Sequence, residues 1–243
     1  MALEASKRFP LMAITQDGVA MGHAEQAARL CAAGVRWIQL RMKDAPRDAW
    51  LATAREVVAT CRAHDAVCII NDSVDIAIEA GADGAHLGRT DLDWSEARRR
   101  LGPGRILGGT VNYTWEAERA VQAGCLDYVG VGPLRFTKTK KELAPLQGFD
   151  GIHSLVTILS GIPAWAIGGI EVADVAEVRS TGATGTAVCS ALLREGRIDQ
   201  NVRAFLEQWR TSGVERVVPN PLIAAESNSA LGTTRSTPNR VIF

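Results

Sequence analysis

The chain has 243 residues, of which 47% are hydrophobic, and its 27 lysines and arginines balance its 27 aspartates and glutamates. A formal net charge of zero excludes a global basic field able to hold nucleic acid or an anionic membrane surface, so any anionic ligand must be held locally. The apolar content suffices for a large core without disulfide or metal staples, and no run of membrane-spanning length or secretory apolar region is read in the sequence, so a cytoplasmic location is expected.

Short β-branched or apolar runs alternate with amphipathic stretches almost from end to end. The first predicted strand, 11–15, precedes a helix over 24–33, and the second, 37–41, precedes one over 49–63. The third, 68–71, leads into a short helix near 74–80, and the fourth, 84–87, into a helix over 94–101. A strand at 106–109 is followed by a helix over 114–123, and one at 128–131 by a helix near 151–159. The last two strands, 164–167 and 185–188, lead into helices over 172–180 and from about Ser190, with another at 201–209. Eight strands, each followed by a helix, predict an α/β fold: a single-domain (β/α)8 TIM barrel with a closed parallel sheet.

Gly34, Gly81, Gly124 and Gly182 each follow a predicted helix and precede a strand, where a left-handed cap is needed. The barrel domain is expected over 1–216. From Val217 onward Ser, Thr, Asn and Pro dominate, and the tail 217–243 is expected to be disordered. Cys31, Cys61, Cys68, Cys125 and Cys189 form no C-x-x-C pair and read as free thiols of a reducing compartment.

In such barrels ligands bind where the strands end. After the second strand, alternation sends Gln39, Arg41 and Lys43 to one side, where two cations and an amide call for an anionic partner, a polyphosphate or an internal salt bridge. Asn71-Asp72 follows the third strand and Arg89 and Asp91 the fourth. Two carboxylates at neighbouring strand ends can share a magnesium ion, although each aspartate is equally a candidate helix cap. Thr110 follows the fifth strand, and the sixth runs into Thr137, Lys138, Thr139, Lys140 and Lys141, hydroxyls and cations suited to gripping phosphate. Gly168-Gly169 after the seventh strand and Cys189-Ser190 after the eighth let backbone amides, and the positive end of a short helix, approach a second phosphate. His86 is expected to be a packed, hydrogen-bonded residue; His23, His64 and His153 read as peripheral.

The ordered segments QLRMK at 39–43, IINDSVDIA at 69–77, GADGAHLGRTDL at 81–92, GGTVN at 108–112, DYVGVGPLRFTKTKK at 127–141, PAWAIGGI at 163–170 and GTAVCSAL at 185–192 resemble the thiamine-phosphate synthase family. The resemblance covers roughly 9–210. It implies that Gln39, Arg41, Lys43, Asn71, Thr110 and Lys140 meet a pyrimidine diphosphate, that Asp72 and Asp91 bind Mg2+, and that Thr137, Thr139, Gly169, Cys189 and Ser190 hold a thiazole phosphate. Arg41, Lys43 and Lys140 would then be the catalytic residues, stabilising departing diphosphate while the thiazole nitrogen captures a pyrimidine cation. The implied partners are these two small molecules, with neither nucleic acid nor membrane, and a homo-oligomer is left open.

Against the commoner family pattern, Arg89 stands in place of Gln, Thr110 in place of Ser, Cys189 in place of an aliphatic residue, and Leu134-Arg135-Phe136 in place of an apolar-aromatic-proline stretch. Two other readings compete. A thiazole tautomerase would share the barrel but use a histidine where this chain has Asn112, and a catalytically silent sensor would bind phosphate ligands without turnover.

Overall fold

The computed structural model describes residues 9–136 and 145–211. Eight strands, β1 (Leu11–Ile14), β2 (Trp37–Leu40), β3 (Val67–Asn71), β4 (Gly84–Leu87), β5 (Ile106–Val111), β6 (Tyr128–Val131), β7 (Ala164–Ile167) and β8 (Gly185–Val188), form a closed parallel barrel in chain order. Pairing of β1 with β8, Leu11 opposite Thr186, closes it and leaves none of the eight with a free edge. The intervening helices are α1 (His23–Ala32), α2 (Arg47–Ala63), α3 (Val74–Ala80), α4 (Trp94–Leu101), α5 (Thr114–Ala123), α6 (Gly148–Ile158), α7 (Val175–Ser180) and α8 (Ser190–Leu193), with α9 (Ile198–Thr211) last. The expected boundary at 216/217 and the tail lie outside the described residues.

Period-two alternation divides the core in two. Outward side chains such as Ile38, Leu40, Ile70, Ala85 and Val129 pack beneath the buried faces of the helices. Inward ones, including Met12, Ile14, Trp37, Ile69, Tyr128 and Trp165, fill the barrel. Trp37, Tyr128 and Trp165 meet with ring centroids 5.0–5.6 Å apart, and these bulky rings need small residues opposite them. Gly108 supplies one such gap: a Cβ built there would lie 2.2 Å from Tyr128 Cζ. The four glycines expected at helix ends all adopt positive φ, as their places between helix and strand require.

Some element ends differ from the expectation. β5 runs on through Val111 because Thr110 and Val111 stay paired with Gly130 and Val131, which places Thr110 within the strand rather than after it. The seventh helix divides into a 3-10 turn, Val172–Asp174, and α7, the turn being held by the Asp174 carboxylate, which accepts the Glu171 N–H at 2.8 Å. The five cysteines are free thiols, with Cys31, Cys61 and Cys68 buried. Among the described residues no helix is long and apolar enough to cross a membrane.

Gly108→Ala should destabilise the barrel by about 1–3 kcal/mol through overpacking against Tyr128, read as a lowered midpoint in urea unfolding.

Candidate active site at the barrel mouth

The alternation that stacks aromatics low in the barrel puts polar groups above them. Two residues beyond inward Trp37 and Ile69 come Gln39 and Asn71, both buried, and inward His86 reaches the same layer from β4. One His86 ring nitrogen, Nδ1, lies 3.0 Å from the Tyr128 hydroxyl, and Nε2 lies 3.0 Å from Thr110 Oγ1. His86 is therefore packed and hydrogen-bonded, and it fixes the Thr110 hydroxyl just inside the mouth. Asn112, whose side chain donates to the Gly132 carbonyl, is tied to the wall instead.

Above this layer, β2, β3 and β4 bring charges together. Lys43 Nζ pairs with Asp72 Oδ2. Asp91 Oδ2 accepts the Gly88 N–H at 2.7 Å. Burial raises the Asp91 carboxyl above its ordinary pKa, and the nearby Asp72 carboxylate raises it further, against the Gly88 N–H and the Lys43 charge. Neither aspartate is a helix cap. Ser73 caps α3, accepting from Ile76 N at 3.2 Å, and Asp93 caps α4, accepting from Ser95 N at 2.9 Å. Asp72 itself holds a left-handed φ of 67°, and its N–H is bonded to the His86 carbonyl at 2.8 Å, so a strained, well-tethered backbone presents its carboxylate. Among the described residues no group of three or more His, Cys, Asp and Glu is gathered to hold a metal. A cleft of about 220 Å³ opens beside the two aspartates, lined by Asp91, Arg89, Thr110 and Arg119. Arg89 lies with its guanidinium 5.9 Å from the Tyr113 ring centre.

The loop after β1 is a part of the mouth that sequence reasoning missed. Thr15 Oγ1 accepts the Arg41 N–H at 3.1 Å, and Asp17 Oδ2 accepts the Lys43 N–H at 3.2 Å. His23, expected to be peripheral, joins these two acceptors: its ring nitrogens lie 2.8 Å from Thr15 Oγ1 and 3.0 Å from Asp17 Oδ1. These contacts tie Arg41 and Lys43 to a neighbouring strand end. No local spacing signalled them, because they cross from β1 to β2.

On the far side, Gly168 and Gly169 turn the chain after β7 with φ of 95° and 65°, and a Cβ on Gly168 would meet Pro133 Cβ at 2.5 Å. Cys189 and Ser190 follow β8. Burial pushes the Cys189 thiol up to about 11, opposed by the charge of Arg41, so this side chain is a neutral thiol and no activated nucleophile. The helix opened by Ser190 is one turn long, the short helix expected after β8. Thus Gln39, Asn71 and Thr110 lie in one layer, Arg41, Lys43, Asp72 and Asp91 sit on the rim of β2–β4, and Gly169, Cys189 and Ser190 follow β7 and β8. Thr137, Thr139 and Lys140 lie outside the described residues.

Charged and polar side chains gathered at the strand ends beside a glycine turn define the class: a (β/α)8-barrel enzyme with its candidate site at the barrel mouth. The chain belongs to the thiamine monophosphate synthase family, whose family model matches residues 11–192. The thiamine-phosphate synthase of Myxococcus xanthus is 44% identical over 185 residues, covering 76% of this chain and 84% of that protein. That of Bacteroides fragilis is 38% identical over 188 residues, covering 76% and 92%. A solved structure of thiamine phosphate pyrophosphorylase from Pyrococcus furiosus superposes with a TM-score of 0.77 at 28% identity, over 85% of this chain and 98% of that one. The family is one of transferases of thiamine biosynthesis.

Asp174, on the turn after Gly169, carries a pH prediction. Burial would raise its carboxyl, but the Arg135 guanidinium and the Glu171 N–H outweigh burial and hold it below the ordinary value of 3.8. A lowered folded pKa contributes stability above the unfolded pKa and loses it as pH falls through the folded value. Asp174→Asn should therefore be less stable than the parent near neutral pH, by about 1 kcal/mol. In urea titrations at stepped pH, that gap should close as pH is lowered below 3.8.

Proposed function

We propose that the chain joins 4-amino-2-methyl-5-(diphosphooxymethyl)pyrimidine to thiazole phosphate, giving thiamine phosphate and diphosphate, in the cytoplasm. The observation that carries this reading is the conjunction of Lys43, Asp72 and Asp91 at adjacent strand ends, with Asp91 raised by burial and by its acidic neighbour. Two carboxylates that repel each other form a poor site for a neutral ligand and a good one for a hard cation. Magnesium commonly takes one or two carboxylates and fills its remaining positions with phosphate oxygens and water, so the donor set fits a magnesium ion that arrives with a diphosphate. When bound, that ion would neutralise charge on the leaving diphosphate.

The remaining work belongs to the chain's own residues. Gln39, Asn71 and Thr110 hold the aminopyrimidine and its diphosphate within the polar layer, where water is largely excluded. Arg41 and Lys43 take up negative charge as the methylene C–O bond breaks and its electron pair leaves with diphosphate. The Arg41 backbone is pinned to Thr15, so its planar guanidinium extends from a fixed base. Lys140 is assigned to the same task from the sequence. The electron-rich aminopyrimidine bears the transient cation, and the thiazole nitrogen closes the new C–N bond. Thr137, Thr139, Gly169, Cys189 and Ser190 hold the thiazole phosphate so that this nitrogen faces the cation. No activated nucleophile is required.

The deciding assay supplies both substrates and magnesium and follows diphosphate release together with thiamine phosphate. Binding of the phosphorylated ligands without release would leave a sensor, and isomerisation of the thiazole compound alone would leave a tautomerase. Arg41→Ala and Lys140→Ala should each lower turnover by about 100-fold or more, with thermal stability nearly unchanged. Asp72→Asn should shift the magnesium titration to higher concentration; a superimposable titration would contradict the metal role.

A further inference from the structure

Two arginines approach the turn after β7 from opposite sides. Arg135, in the loop after β6, directs both terminal nitrogens at Asp174, with Nη2 donating to Oδ1 at 2.6 Å and Nη1 donating to Oδ2. Nη1 also donates to the Gly169 carbonyl at 3.2 Å, and the Arg135 backbone N–H donates to the Gly168 carbonyl at 3.0 Å. Arg194, just past α8, donates from Nη2 and Nη1 to the two carboxylate oxygens of Glu171 at 2.6 and 3.2 Å. The two acceptors are joined, because the Glu171 N–H donates to Asp174 Oδ2. A fork from the β6 side and a fork from the β8 side thus grip the same short loop.

That loop needs an external grip. Gly168 and Gly169 both occupy positive φ, and adjacent glycines lose more freedom on ordering than any other pair. Planar guanidinium–carboxylate pairs fix direction as well as distance, which a lysine cannot do. Asp174 is almost entirely buried, and its carboxylate is occupied by Arg135 and the Glu171 N–H.

We infer that Arg135 and Arg194 are positioning residues that hold the Gly168–Gly169 turn ready for a phosphate monoester, their guanidinium groups being engaged by Asp174 and Glu171 rather than by the ligand. This deepens the assignment of the thiazole phosphate to Gly169, Cys189 and Ser190 and rests on it. The phosphate is then met by neutral donors around Gly169, while the cations act one step removed.

The two roles for Arg135 predict opposite behaviour of its partner. If Arg135 is a clamp, Arg135→Lys and Asp174→Asn each raise KM for the thiazole phosphate about 10-fold and leave KM for the pyrimidine diphosphate and kcat within about 2-fold. The double variant is then no worse than the poorer single one, since both remove the same link. If Arg135 instead touched phosphate, Asp174→Asn would release it toward the ligand, and KM would stay unchanged or fall; that result overturns the inference, as does a parallel rise of both KM values. Amide hydrogen exchange on the full-length, substrate-free chain tests the clamp without turnover. Asp174→Asn should speed exchange at least about 10-fold across 168–174 and leave the other strands protected. Unaltered exchange there would overturn the clamp, whereas a parent inactive with both substrates would remove the proposed reaction and leave the exchange result to decide the clamp.

Discussion

Closure of the sheet is the constraint on which the rest of this molecule depends. Once β1 pairs with β8, every strand has two neighbours and every second side chain has only the barrel interior to occupy. A parallel barrel cannot leave that interior empty, because voids forfeit contact energy, nor fill it with unpaired polar groups, because desolvation is costly. The chain meets both demands by height. Trp37, Tyr128 and Trp165 fill the lower part, and Gln39, Asn71 and His86 occupy the level next to the mouth, where they can be hydrogen-bonded or reach a ligand. His86 joins the two levels, touching Tyr128 below and Thr110 above.

The charged rim follows a different logic. Burial and the neighbouring Asp72 raise the Asp91 carboxyl, and the Lys43 charge opposes this only in part. Carboxylates crowded together in this way carry an electrostatic cost, and such costs gather at functional sites. Across the mouth, Arg135 pairs with Asp174 and Arg194 with Glu171. On the β2–β4 side two carboxylates share the neighbourhood of Lys43, whereas on the β7–β8 side each carboxylate has an arginine of its own.

Much of this was readable before any coordinates. The eight alternating elements, the helix-end glycines and the alternation that sends Gln39, Arg41 and Lys43 to one side all follow from local periodicity, and the family resemblance rests on segments in fixed order. The strand limits at β4, β6, β7 and β8 match the expectation, since each is a short apolar run closed by glycine or polar residues. The misses have a common cause. Thr110 stays in β5 because β6 continues beside it, His23 lies at the rim because Thr15 and Asp17 are there to receive it, and α7 begins late because Asp174 is held by a distant arginine.

The sequence alone therefore determined the barrel, its alternation of inward and outward side chains, and the kinds of groups at each strand end, because these depend on residues a few places apart. Which of those groups pair was decided only by tertiary structure. Ser73 and Asp93 took the capping roles open to Asp72 and Asp91, and Arg135 and Arg194 found carboxylates rather than solvent. Charges act over a few ångströms of space whatever their separation along the chain, and only the closed barrel sets those distances.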